Sequence, residues 1–112
     1  MKRPELKRSL VLEAPQDTAT GSGGIARAWV ALGRLWAEIR AGAGREGDSV
    51  EVVTARVPLR ITVRGAPVGA PSRPQAGQRF RDGTRLFAIL AVAEADPGGR
   101  YLTCFAREED PA

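Results

Sequence analysis

Apolar and polar residues alternate along this chain in short runs separated by glycine, proline and charge. Residues 6–13, LKRSLVLE, set Leu10 and Leu12 between Ser9, Val11 and Glu13, which predicts a first strand ended by Pro15. The polar, glycine-rich QDTATGSGG of residues 16–24 predicts a loop. Residues 25–40, IARAWVALGRLWAEIR, fit two patterns. Trp29, Leu32, Leu35, Trp36 and Ile39 recur at the spacing of an amphipathic helix. Against a helix, Gly33 costs about 1 kcal/mol relative to alanine. In addition, Leu35, Ala37 and Ile39 alternate with Arg34, Trp36, Glu38 and Arg40 as half-buried strands do, so a strand pair competes on equal terms.

A soft segment comes next, AGAGREGDSV at residues 41–50, and then residues 49–54 suit a short helix capped by Asp48 or Ser49. Residues 56–64, RVPLRITVR, give the clearest strand. Val57, Leu59, Ile61 and Val63 fall on one side, Arg56, Arg60, Thr62 and Arg64 on the other, and Pro58 belongs at an edge or a bulge. Residues 66–76 hold three prolines and predict an extended loop. The last third reads as a meander: residues 78–81, an Asp82-Gly83 turn, residues 85–94, an Asp96-Pro97-Gly98-Gly99 turn, and residues 100–107. In this reading Phe80, Leu86, Ala88, Leu90, Leu102, Cys104 and Ala106 share one side, and Phe87, Ile89, Val92, Tyr101, Thr103 and Phe105 the other. Five or six short strands predict a mainly β fold, a small antiparallel β-barrel or sandwich with a long central excursion of loop or short helix at residues 41–55.

Length and charge sharpen this picture. The chain of 112 residues, 43% hydrophobic, suits one domain over residues 1–112 with a modest core. It has no run long and apolar enough for a membrane helix and no apolar leader, so a cytosolic protein is expected. Cys104 is the only cysteine and reads as a small buried hydrophobe. Net charge is +4, distributed unevenly: Arg56, Arg60, Arg64, Arg73, Arg79 and Arg81 lie in a stretch without an acid, while Glu108, Glu109 and Asp110 open an acidic tail at residues 108–112. The basic stretch suits nucleic acid, an acidic partner or an acidic patch on another copy, or else a solvated strand face.

Without histidine, and with one cysteine, neither a histidine-assisted nucleophile nor the common zinc clusters can be built. Glu46 and Asp48, or Glu108 and Glu109, lie on segments that would not desolvate an acid/base pair. The glycine runs lack the lysine of a phosphate-binding loop. No enzyme, cofactor or metal site is expected. Trp29 and Trp36 suit core or interface packing better than stacking on bases.

The order of these blocks resembles the phage head-tail joining proteins, also called head closure, stopper or head-tail adaptor proteins. LKRSLVLEAPQDTATGSGG resembles the family's opening strand and polar loop. ARAWVALGRLWAEIRAGAGRE resembles its tryptophan block and the small-residue stretch after it, VPLRITVR its basic-aliphatic strand, and GQRFRDGTRLFAILAVAEADPGGRYLTCFARE its closing meander.

The resemblance implies a structural protein that forms a ring of six or twelve copies. Such a ring sits between the portal adaptor and the tail terminator or tail tube, with double-stranded DNA passing through it and no membrane involved. It also implies that the excursion bearing Gly42, Gly44, Arg45, Glu46, Gly47, Asp48 and Ser49 faces the channel and helps close it. Arg56, Arg60 and Arg64 are then candidates to face DNA or a neighbour, and Trp29, Trp36, Glu108, Glu109 and Asp110 to form the interface. The location implied is the cytoplasm during assembly and then the head-tail junction of a phage-like particle, and the composition suits a gene transfer agent. A tail-completion or tail-terminator ring, and a small nucleic-acid-binding barrel, are the alternatives.

Overall fold

A computed structural model describes residues 3–42 and 57–110. Six strands form: β1 (Arg8–Ala19), β2 (Ile25–Ala41), β3 (Pro58–Arg64), β4 (Arg79–Asp82), β5 (Arg85–Glu94) and β6 (Tyr101–Glu109). All pairings are antiparallel in the order β1-β2-β3-β6-β5-β4, and β4 returns to β1 through Val11↔Arg81, Leu12↔Phe80 and Glu13↔Arg79. The mainly β expectation is met by one sheet closing on itself in a ring of six strands. Gly42 lies just past β2 and donates its N–H to the Pro58 carbonyl, 2.6 Å. The rest of the expected excursion, with its short helix, lies outside the described residues.

The interior holds Leu10 and Leu12 from β1, Ala37 from β2, Ile61 and Val63 from β3, Phe80 from β4, Phe87 and Ile89 from β5, and Leu102, Cys104 and Ala106 from β6. Each large side chain of this set contributes about 1.5–3 kcal/mol by leaving water. The aliphatic side of the RVPLRITVR strand is inward at Ile61 and Val63, while Val57 at its start is 60% exposed. Pro58 is the first residue of β3, where its missing donor is tolerated.

Three local expectations are corrected. Pro15 does not end β1, which runs on to Ala19 with Pro15 opposite Trp29. Beyond Glu13 the strand pairs with β2 alone, so proline's lack of an N–H removes no bond on the open edge. The loop expected at 16–24 shrinks to 20–24, tied by Thr20 N–H to Gly24 O at 2.9 Å. Residues 25–41 are neither helix nor strand pair but one strand of 17 residues. Gly33, at φ 142°, takes the backbone past a bulge in which Leu32 is the extra residue against Leu12/Glu13. The helical spacing of Trp29, Leu32, Leu35, Trp36 and Ile39 mixes the two faces of the strand: Leu32, Leu35 and Ile39 pack against the core, whereas Trp36 is exposed and Trp29 lies under Arg79.

The sides assigned to β5 are also corrected. Phe87 and Ile89 share the interior with Leu102, Cys104 and Ala106, whereas Leu90 is 54% exposed. Leu90 is the extra residue of a second bulge, between Ile89 and Ala91. Past it, Val92 opposite Cys104 packs on the core.

The meander and the 66–76 loop form as expected. The loop is clipped to β5 by Gly77 N–H to Ile89 O and Ile89 N–H to Gln78 O, both 3.0 Å. Because residues 14–19 and 25–30 pair only with each other, they extend the closed sheet as a two-stranded ribbon.

Candidate functional site

The register of β2, β3 and β6 builds the outer face row by row. Glu38, Thr62 and Thr103 form one cross-strand row, and Arg40, Arg60 and Phe105 the next. Arg64 lies opposite Tyr101, and Trp36, on the same face of β2, is 61% exposed. Directly opposed arginines disfavour each other by about 0.2–1 kcal/mol. Arg40 relieves part of this through its Nε–H to Glu38 Oε1, 3.1 Å. Arg60 instead holds its guanidinium 5.7 Å from the centre of the Phe105 ring. Among the described residues neither Arg60 nor Arg64 makes an ion pair with a carboxylate.

Two shallow grooves flank this face. One of about 550 Å³ is lined by Arg3, Arg40, Arg60 and Arg100 with Glu38 and Asp96. The other, about 660 Å³, runs beside Trp36, Arg34 and Arg64. Asp96 is fixed at the edge of the first: its carboxylate accepts from Tyr101 N–H at 3.0 Å, Gly98 N–H at 3.2 Å and Arg100 Nε–H at 3.4 Å. The Tyr101 amide, opposed by partial burial and joined by Arg100 and Gly98, holds its carboxyl below the usual aspartate range.

Of the candidates read from sequence, Trp36, Arg60 and Arg64 are brought together here. Trp29 is elsewhere, at the base of the ribbon, with the Arg79 guanidinium 4.0 Å above its ring. Arg79 and Arg81 each donate Nε–H to Glu13, at 2.7 Å. Burial pushes the Glu13 carboxyl up, but the bonds from Arg81 and Arg79 outweigh it, and the group sits below its ordinary range. Glu108 is paired within the chain to Arg85, at 2.9 and 3.0 Å. Glu109 and Asp110 stand at the far end of β6. Gly44, Arg45, Glu46, Gly47, Asp48, Ser49 and Arg56 lie outside the described residues.

The sequence reading did not single out Arg40, Arg100 or Phe105. Arg40 carried a signal, since in WAEIR it alternates onto the side of Trp36 and Glu38. Phe105, which its sequence suits to the core, is instead 36% exposed on the outer face, and its pairing with Arg60 depends on a register that spans 45 residues. Among the described residues no three potential ligands gather to hold a metal, and no helix is long and apolar enough to cross a membrane.

Comparison with known proteins adds to this geometry. A family model described as phage head completion protein matches residues 1–109. A chain of a solved virion of a native gene transfer agent particle is 55% identical, with a TM-score of 0.80 over 98% of this chain and 100% of that one. Protein SF1141 from Shigella flexneri 2a is 19% identical with a TM-score of 0.72 over the full length of both chains, which supports the fold alone. No curated protein matches the sequence.

Proposed function

The chain belongs to the phage head completion protein family, and from that premise we propose that it is a ring subunit of the head-tail connector in a phage-like particle of the gene transfer agent type. As a member of that family it is a structural protein of the virion. The finer reading is that six or twelve copies join the portal adaptor to the tail terminator or tail tube around a channel for double-stranded DNA. Residues 42–49 face that channel in this reading, and Arg60 and Arg64 face DNA or a neighbour.

The observation that carries it is the outer face of β2, β3 and β6. A lone small protein gains nothing by leaving Trp36 61% exposed beside arginines that lack a carboxylate partner among the described residues. Packing against another subunit covers the indole and supplies negative charge. Cryo-electron microscopy of whole particles tests this: a ring of this chain between portal adaptor and tail is expected. Its presence elsewhere in the particle, at a tail end for example, would overturn the connector reading.

A second reading has one specific observation in its favour. Arg60 over Phe105, with Tyr101 two rows away, places basic and aromatic groups side by side as single-stranded nucleic-acid platforms do. Binding of the purified chain to oligonucleotides, weakening steeply with salt, would favour it.

A further inference from the structure

We infer that the open edge of β2, residues 25–30, pairs with the open edge of β1, residues 14–19, from a second copy of this chain. Neighbouring ribbons then join in one antiparallel sheet. The contact rests on the ring reading above and names the backbone surfaces that meet in it.

The ribbon leaves both of its edges without a strand. β3 runs along β2 only from Ala37 to Ala41, and β4 along β1 only from Val11 to Glu13. Which backbone groups point outward follows from the turn. Thr20 N–H bonds the Gly24 carbonyl, so the next pair, Ala19 and Ile25, exchanges no hydrogen bond, and bonded and unbonded pairs alternate from there. Ile25, Arg27 and Trp29 therefore turn their N–H and C=O groups out of the ribbon on one side, and Ala19, Asp17 and Pro15 on the other. None of these groups meets a backbone partner among the described residues.

A ribbon of two strands is marginally stable by itself. Folded proteins usually blunt such edges with proline or charge, and Pro15 does so for β1 by withholding one donor. The β2 edge reads IARAWV at residues 25–30, with no proline, one charge, and Ile25 73% exposed. An edge of this kind is a template for another strand.

A second copy fits it better than an unrelated segment, because the two edges belong to one ribbon and match. With the second copy's Asp17 opposite Arg27, its Ala19 falls opposite Ile25 and its Pro15 opposite Trp29, the same rows that pair inside the ribbon. Every outward donor of β2 then finds a carbonyl, and the one group missing is the N–H of Pro15. No like charges meet. Arg27 holds its own Asp17 through Nε and Nη2, at 2.8 and 3.2 Å, which leaves Nη1 for the carboxylate across the seam. The backbone carries the contact, and the arginine sets only its register. One contact covers the β2 edge of one copy and the β1 edge of the next, whereas a different protein on β2 leaves β1 open. Unlike edges that join head to tail repeat until a ring closes.

Arg27→Pro removes a donor that the ribbon itself does not use, and Arg27→Ala removes the side chain while keeping that donor. Their melts by circular dichroism are expected to agree within about 5 °C. In cells producing particles, Arg27→Pro is expected to be incorporated about tenfold less than Arg27→Ala. A cross-link reads the same seam even if Arg27→Pro fails to fold. Cys104 is buried, so Ala19→Cys and Ile25→Cys each carry one accessible thiol. Supplied together and oxidised in particles, the two are expected to give mixed disulfide dimers that neither gives alone. Equal incorporation of Arg27→Pro and Arg27→Ala, or no mixed dimer above the level of either variant alone, would overturn the contact. So would Ile25→Cys linked to another protein, which gives the edge a different occupant. With the chain at the head-tail junction, those outcomes leave the connector reading intact. Mixed dimers in particles that carry the chain elsewhere would keep the contact and remove the connector reading.

Discussion

The Arg79 guanidinium lies 4.0 Å above the Trp29 ring, and so ties β4 of the closed sheet to the base of the β1–β2 ribbon. The same guanidinium gives its Nε–H to Glu13, which also holds Arg81, so one carboxylate with 7% of its surface exposed anchors two cations and through them an indole. Replacing Glu13 by Gln leaves Arg79 and Arg81 facing each other across a nearly buried site. We expect a loss of about 2 kcal/mol, less than the roughly 3–5 kcal/mol of a fully buried pair because Arg81 is 40% exposed. Urea unfolding at pH 7 measures it, and a change under about 0.5 kcal/mol would show that the network does not hold the ribbon.

The same carboxylate makes stability depend on pH. Its folded pKa lies below the ordinary 4.5, so its contribution is fully present above about pH 4.5 and is lost as pH falls through the lower folded value. Asp96 shares the acid window for the same reason. Glu13→Gln is therefore expected to lose stability less steeply below pH 4.5 than the unaltered chain, while starting from a lower value at pH 7. Parallel acid limbs in urea midpoints measured between pH 3 and 7 would contradict this.

Legibility in the sequence tracks the range of the physics involved. Strict alternation in RVPLRITVR and the Asp-Gly and Asp-Pro-Gly-Gly turns are local signals, and β3 and the meander obey them. Pro15 misleads because its effect depends on whether a second strand lies alongside, which is set by β4 some 65 residues later. Leu86, Ala88 and Leu90 mislead because Leu90 is a bulged residue, so the inward side that Val92 marks after it does not continue back to Leu86 and Ala88 before it. The site divides the same way. Arg60 and Arg64 were visible as the basic side of a strand, but Arg40, Arg100 and Phe105 join them only through the pairing of β3 with β2 and β6.

Gly65 closes β3 by donating its N–H to the Arg100 carbonyl at 2.7 Å. A Cβ there would fall on the Gly99 carbonyl oxygen, a backbone atom that cannot turn aside. Gly65→Ala is expected to cost about 1–3 kcal/mol and to loosen the turn that carries Asp96 and Arg100. Faster amide exchange at Gly98 and Tyr101, whose N–H groups bond Asp96, would report the loosening. Unchanged exchange and stability would mean that the two turns separate without cost.

Cys104 is buried among the core side chains, and burial pushes its thiol up to about 12. Thiolate is therefore scarce at pH 8, and the group is covered as well. Disulfide reagents are expected to modify the folded chain only as fast as it opens, and the unfolded chain at once. A rate on the native protein equal to that in urea would show the thiol to be accessible.

Trp36 separates folding from assembly more sharply than any charged residue. Its ring makes the outer wall of the groove beside Arg34 and Arg64 and is not part of the core cluster. Truncating a core aromatic costs about 3–5 kcal/mol, whereas an exposed side chain changes stability by about 0.5 kcal/mol at most. Trp36→Ala should therefore melt close to the unaltered chain. If neighbouring subunits cover the indole, the same change removes an aromatic anchor from the contact, which at interface centres costs about 2 kcal/mol or more. The expected result is a well-folded chain that enters particles poorly. In a Trp29→Phe background Trp36 is the one remaining tryptophan, and its emission should move to shorter wavelength as the chain assembles. Emission that stays solvent-like in assembled material, with normal incorporation of Trp36→Ala, would mean that the face bearing Trp36 and Arg64 remains open in the particle and that subunits meet elsewhere.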